Sequence, residues 1–477
     1  MGIEAGRTSR RAVLGATAAV AAGAAVIGSP LPASAETDSD REAAAGPGMA
    51  IQPQRPDRDL RILLPQVDQR RIEATIRRLV AFGTRHTLST QEDPVRGIGA
   101  ARDWLLAQFQ AIAATSGGRM TVELQSFIQP PASRIPVPTQ ISNVVATLRG
   151  DTDPGRMYVI SGHYDSRVTD VMNGTADAPG ADDDGSGVAV VLELARLFAT
   201  RHTNATVVFT AVAGEEQGLY GSAFQARTYK AAGATIHAMF SNDIVGSSTA
   251  EDGTRDRRTV RLFADGVPPT ETAAQATVRQ TTGGENDSAT RQLARFARSV
   301  AENDETAMRL RLVSRRDRYL RGSDHISYLQ QGYPGLRFTE PAEDFAHQHQ
   351  DVRLQDGKQF GDLPEFCDFS YIAGVARVNG ALLWSLAQAP ASPANARIDT
   401  SQLTNSTTLL WDASTAPDLV GYEVVWRETT APDWTNVIDV GKVTSTTIAL
   451  SKDNVFFGIR AVGAQGHRSP VAFPVPG

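Results

Sequence analysis

The chain has 477 residues, 41% of them hydrophobic and 21% charged, with a formal charge of −6. That length is too great for one compact core and points to two or three domains. The mild negative charge, with no basic stripe, gives nucleic-acid binding no support, and the single cysteine, Cys367, excludes an internal disulfide.

Thr8-Ser9-Arg10-Arg11-Ala12-Val13-Leu14 carries twin arginines, and an Ala- and Val-rich stretch follows to about Ile27. Ala33-Ser34-Ala35 then supplies the small residues that a signal peptidase requires. The apolar stretch is short and rich in Ala and Gly rather than Leu, which reads against a membrane anchor. Residues 1–35 are expected to be a cleaved twin-arginine signal of a secreted bacterial protein, leaving no transmembrane segment in the mature chain. Residues 36–57 are Ala, Asp, Glu, Gly and Pro with few large apolar side chains, and read as a flexible leader.

A main domain is expected over 58–390. Ile72, Ile76, Leu79 and Val80 recur at helical spacing, and Ala100, Trp104, Leu105 and Phe109 mark one face of a second helix over 97–113. Strands follow over 121–124 and 141–148. The centre then alternates: a strand over 158–161 ending at His163, a helix over 188–198, a strand over 206–212 ending at Glu215, a helix over 221–232, and a strand over 236–240 ending at Asp243. A last helix over 364–387 should close the domain. This alternation implies an α/β fold, a mostly parallel mixed sheet between helices. In such sheets ligands bind outside the carboxyl ends of the strands.

After the linker Ala389-Pro390-Ala391-Ser392-Pro393-Ala394 the texture changes to short strands around Trp411, Tyr422–Trp426 and 455–462. These predict a small all-β sandwich over 397–477 that resembles a fibronectin type III module. Attachment to a polymer, a cell wall or another protein is the expected use of such a module.

Three acidic clusters fall at strand ends: Gly162-His163-Tyr164-Asp165, Pro179-Gly180-Ala181-Asp182-Asp183-Asp184-Gly185-Ser186-Gly187, and Ala213-Gly214-Glu215-Glu216. Crowded carboxylates need a cation, and carboxylates with imidazole suit zinc in a hydrolytic site. A two-metal site needs a bridging carboxylate, a further carboxylate and a His for each metal, and a base for the water. His163, Asp183, Glu216 and Asp243 supply four of the five ligands. The fifth should be a His beyond the last strand, and Phe345-Ala346-His347-Gln348-His349-Gln350-Asp351 offers two. Taken alone, the Asp-Asp-Asp-Gly run would read equally as a calcium loop or a solvated turn.

With Glu215-Glu216-Gln217-Gly218-Leu219-Tyr220-Gly221-Ser222, Ser323-Asp324-His325 and His347-x-x-x-Asp351 in the same order, the chain resembles the secreted bacterial co-catalytic dizinc aminopeptidases, the leucine aminopeptidase type. The resemblance covers about residues 65–390. It implies two Zn²⁺ ions bridged by Asp183, one held by His163 and Asp243, the other by Glu216 and His347. His347 is preferred to His349 because the family places its His four residues before an Asp, here Asp351. Glu215 would be the general base, taking a proton from the metal-bridging water and delivering it to the leaving amine. Neighbours leaving a strand point to different sides, so Glu216 can bind metal while Glu215 faces the water. Asp165 would accept the other imidazole N–H of His163 and orient it. Relatives also hold a cis non-proline bond after the bridging Asp, expected here between Asp183 and Asp184.

The implied function is a secreted zinc aminopeptidase hydrolysing N-terminal residues from peptides. The alternatives are a carboxypeptidase or dipeptidase of the same fold, a single-zinc glutaminyl cyclase, or a non-catalytic surface-binding protein. Ser323-Asp324-His325 reads as a brace rather than a nucleophilic triad, since consecutive residues cannot easily arrange that relay. Some relatives carry a Tyr just before the final His. Here that position is Ala346, and Tyr319 is the substitute considered for stabilising the tetrahedral intermediate. His86, His202, His237 and His467 match no motif and read as packing or surface residues.

Overall fold

Every side chain of Ala205–Val212 is buried, because this run of β-branched and apolar residues lies inside an eight-stranded sheet with both faces covered. The computed structural model describes residues 46–477, so the twin-arginine segment and residues 36–45 of the leader lie outside the described residues. The strands are β1 (Met120–Gln129), β2 (Thr139–Leu148), β3 (Asp153–His163), β4 (Ala205–Val212), β5 (Thr235–Asn242), β6 (Thr259–Ala264), β7 (Arg309–Val313) and β8 (Gly335–Thr339). Their spatial order is β1-β2-β4-β3-β5-β8-β6-β7. The middle strands β4, β3, β5 and β8 are parallel, while β1 and β2 add antiparallel on one side and β6 pairs antiparallel with β8 on the other. The expected mixed α/β sheet is present. Strands β6, β7 and β8, and the helices Ala273–Thr282 and Ala289–Ala301, add to the elements expected from the sequence.

The helix Gly185–Ala199 packs against β3 and is itself covered by Gln69–Val80 and Phe369–Gln388. Two glycines make its entry possible. A Cβ on Gly162 would collide with the Gly187 backbone, and one on Gly187 would collide with the Asn242 carbonyl oxygen. The Asp-Gly-Ser-Gly run is thus the only kind of sequence that lets the helix start sit against the ends of β3 and β5. Asp184 caps this helix, its side chain accepting from Gly187 N–H at 3.0 Å, and the peptide bond between Asp183 and Asp184 is cis.

Beyond Phe369–Gln388 lies a two-sheet β-sandwich. One sheet holds Asn436–Gly441, Leu419–Glu428 and Val455–Gly463, the other Ser445–Ile448, Thr407–Leu410, Arg397–Ile398 and Val475–Pro476. Leu409, Trp411, Tyr422, Val424, Trp426, Phe457 and Ile459 form its core. The first sheet is completed by Met49–Ala50, which pairs antiparallel with Asn436 and Val437. This corrects the leader: residues 47–57 are bound to the sandwich, with Trp426 Nε1–H donating to the Pro47 carbonyl at 2.8 Å and Ile51 N–H to the Thr435 carbonyl at 2.9 Å. The backbone polar groups of a sheet edge attract an extended segment whatever its hydropathy, which composition alone does not register. Residues Pro47–Gly477 form one compact unit. Buried Arg427 of the sandwich meets buried Asp287 of the main sheet domain at 2.7 Å, and Trp434 Nε1–H donates to Gln292 at 2.9 Å. No helix among the described residues is long and apolar enough to cross a membrane.

Candidate active site

The three parallel strands at the centre deliver their ends to one cleft. His163 is the last residue of β3, Asp243 follows β5 directly, and Glu215 and Glu216 lie in the turn after β4. Asp183 enters from the loop before the helix Gly185–Ala199. His163 Nε2 lies 3.1 Å from Asp183 Oδ1 and 4.0 Å from Asp243 Oδ1. On the other side His349 Nε2 lies 2.7 Å from Asp183 Oδ2 and 3.0 Å from Glu216 Oε1. His163, Asp183 and Asp243 therefore form one group of converging ligand atoms, and Asp183, Glu216 and His349 a second. Asp183 belongs to both, one oxygen facing each histidine.

His347 is not in either group, which corrects the expectation for the fifth ligand. Its ring stacks on Phe366 with centroids 3.4 Å apart, and its Nδ1 lies 3.3 Å from Asp344. His349 has a positive φ of 52°, and this turn swings its ring back over the cleft. The four-residue spacing to Asp351 therefore selected the wrong imidazole.

The cleft suits cations. Glu216 Oε1 and His349 Nε2 are buried and make no hydrogen bond although they are 3.0 Å apart, as atoms aimed at a common point do. Burial penalises the Asp183 carboxylate, yet His349 and His163 hold it well below the usual range. Glu215 behaves oppositely. It is half-exposed to the cleft, and desolvation followed by the charges of Asp243, Glu216 and Asp324 raises it well above the usual carboxylate range, although His163 opposes the shift. Two imidazoles and three carboxylates in overlapping groups are a donor set that zinc accepts.

Buried groups fix these positions. Asp165 accepts backbone N–H bonds from Glu215 at 3.3 Å and Glu216 at 3.1 Å, and the hydroxyl of Thr87 at 3.1 Å. Its own carbonyl lies 3.1 Å from His163 Nδ1, nearer than its carboxylate at 3.7 Å. It thus braces the Glu215–Glu216 turn as well as the imidazole. Asp184 Oδ2 accepts His163 N–H at 2.8 Å, and Asp182 Oδ1 accepts Gly246 N–H at 2.6 Å, so both flanking aspartates shape the loop.

Several contributors carried no sequence signal because they act from distant segments. Asp362 accepts the N–H groups of Asp182 and Asp183, each at 2.8 Å. Arg85, fully buried, donates to the carbonyls of Tyr164, Pro179 and Gly180 and ties the two loops together. Arg337 joins Asp243 at 2.9 Å, and Arg167 Nε–H donates to Glu216 Oε2 at 3.0 Å. Arg167 Nη2 also lies 2.6 Å from His349 Nδ1.

Tyr319 is 78% exposed and stacks under Arg315, so it does not occupy the cleft. His325 Nε2–H donates to the Arg316 carbonyl at 2.9 Å and is a brace, with Asp324 buried beside it. Of the unmatched histidines, His86 and His467 are buried, His237 packs near Tyr158, and His202 pairs with Asp151 at the surface.

Comparison with known proteins identifies the family. Residues 143–355 match peptidase family M28. A "Probable zinc metalloprotease" of Pyrenophora tritici-repentis is 52% identical over 454 residues, covering 94% of each chain. One of Pyricularia oryzae is 57% identical, covering 90% of this chain and 87% of its own. These relatives are fungal, so the resemblance is wider than the bacterial enzymes to which the motifs pointed. The Legionella pneumophila LapA aminopeptidase shares 15% identity at a TM-score of 0.48 over 68% of this chain and 73% of its own, a likeness too distant to speak to activity. The chain belongs to peptidase family M28 and is a zinc metallopeptidase.

Proposed function

We propose that this peptidase is a two-zinc exopeptidase that removes N-terminal residues from peptides. The observation that carries the reading is Asp183, whose two oxygens face one histidine each and so join two complete ligand groups. His163 and Asp243 would hold one ion, Glu216 and His349 the other. Bound zinc would supply Lewis acidity to the scissile carbonyl and acidify the attacking water.

Glu215 is the proton carrier of this mechanism. Its carboxylate lines the cleft beside the two ligand groups without belonging to either, the placement of a group that takes a proton from water and passes it to the leaving amine. Asp165 holds the backbone N–H groups of Glu215 and Glu216 in one carboxylate, so base and ligand keep their separate directions. Arg337 and Arg167 steady Asp243 and Glu216 from behind.

The proposal includes export through the twin-arginine segment at Arg10 and Arg11, and a fibronectin type III-like identity for the sandwich. Trp411 and Tyr422 meeting edge to face at 5.4 Å in the sandwich core supports the latter. No observation favours a polymer or cell-wall ligand for it.

The test is zinc analysis of the purified chain with hydrolysis of aminoacyl-nitroanilides and of peptides blocked or free at the N-terminus. Two zinc ions per chain and cleavage only of free N-termini are expected. One ion per chain, or equal cleavage of blocked peptides, would sink the reading.

A further inference from the structure

The cleft beside the candidate metal groups measures about 470 Å³, a volume fit for one or two residues of substrate. Four carboxylates line it, Asp183, Glu215, Glu216 and Asp243, and each already has a role at the metal groups or as the base. Four arginines line it as well: Arg134, Arg167, Arg318 and Arg321. Arg167 is committed to Glu216. The other three are not balanced.

Arg134 has no carboxylate partner among the described residues, and its one hydrogen bond is to the Glu216 carbonyl at 2.9 Å. Arg318 and Arg321 share a single oxygen of Glu343, at 3.0 and 2.9 Å, while Arg261 takes the other oxygen at 3.0 Å. The next acid, Asp317, is divided between Arg318 at 3.2 Å and buried Arg337 at 3.0 Å. With Arg337 also matched by Asp243, three guanidiniums share Glu343 and part of Asp317, and the excess positive charge opens on the cleft through Arg321, whose side chain is 32% exposed. Guanidinium stays charged at any working pH, and its fork of donors matches a carboxylate. Gln348, whose amide oxygen accepts from Arg321 Nη2 at 2.9 Å, adds no charge, so a substrate carboxylate would neutralise the excess.

Resting on the exopeptidase reading above, we infer that the cleft selects substrates carrying a carboxylate within one residue of the scissile bond, held by Arg134 and Arg321. Two sources supply that chemistry: an acidic side chain on the N-terminal residue, or the free α-carboxylate of a dipeptide.

The test uses the zinc-loaded full chain and two matched pairs, glutamyl- against glutaminyl-nitroanilide and Leu-Leu against Leu-Leu-amide. The carboxylate member of one pair should show a kcat/KM at least about tenfold higher, and the pair that responds identifies the source. Arg134→Ala and Arg321→Ala should each shrink that ratio several-fold, with zinc content and thermal midpoint measured to exclude a folding defect. Arg134 lies on an exposed loop, so its variant should fold even if Arg321→Ala disturbs the Glu343 cluster. An active parent with no preference in either pair would overturn the inference and leave the exopeptidase reading standing. So would a preference that both arginine variants keep in full. A zinc-loaded parent that cleaves none of the four substrates would instead overturn the exopeptidase reading, and this inference with it.

Discussion

His349 Nε2 lies 2.7 Å from Asp183 Oδ2, although His347, two residues earlier, has the spacing to Asp351 that the motif favours. His349→Ala should therefore lower zinc content and activity, while His347→Ala should keep most of both and lose only its stack on Phe366. Metal analysis of the two variants checks the ranking. Equal zinc loss in both would show that the ring at 347 also turns inward.

Glu215→Gln should retain zinc and lose activity. The amide is nearly isosteric and keeps the backbone bonds to Asp165, but it cannot take the water's proton. A fall in kcat of about 10²–10⁴-fold is expected. Turnover near the parent's rate, measured at equal zinc content, would remove Glu215 from the mechanism.

Removing metal should destabilise the fold. Asp183, Glu216 and Asp243 place three buried carboxylates in adjoining groups, and a cation that binds only the folded state adds stability by mass action. Zinc at a hundredfold excess over its Kd would contribute about 2.7 kcal/mol. A thermal midpoint that falls on chelation and recovers with added zinc is the expected result.

Arg427→Ala should loosen the sandwich from the main sheet domain. It strips one partner from buried Asp287, which keeps only Arg295 at 3.0 Å and Gln292 at 2.8 Å. Leaving a buried charge wholly unpaired costs about 3 kcal/mol or more, and the retained Arg295 keeps the loss below that. Denaturant unfolding should show a lower midpoint, and Asp287→Asn added to Arg427→Ala should recover part of the loss.

Acid should weaken the sandwich through Glu423. Burial alone would raise this carboxyl, but Arg468 and Arg460, at 2.9 and 2.6 Å, hold it below its ordinary 4.5. The folded value is depressed, so the stability it contributes is complete above pH 4.5 and is lost as pH falls through that lower value. Thermal midpoints of the parent and of Glu423→Gln should differ at pH 7 and converge toward pH 3.

The residues of the site were legible where chemistry and local structure coincide. His163, Glu215 and Asp243 stand at the ends of apolar runs that can only be buried strands, and Asp183 precedes a glycine pattern that a close helix start requires. Order along the chain sufficed for these, because a parallel sheet sends every strand end to the same edge. The tertiary structure decided the rest. The choice of His349 over His347 rests on tertiary contacts, the stack of His347 on Phe366 and the approach of His349 to Asp183 and Glu216, which residue spacing does not encode. Arg85, Asp362 and Arg337 reach the site from far along the chain, and a buried ion pair leaves no periodic trace. The attachment of residues 47–57 to the sandwich was hidden for a related reason: it combines backbone pairing at the sheet edge with isolated side-chain contacts such as Asp57 to His467, and neither leaves a pattern in composition.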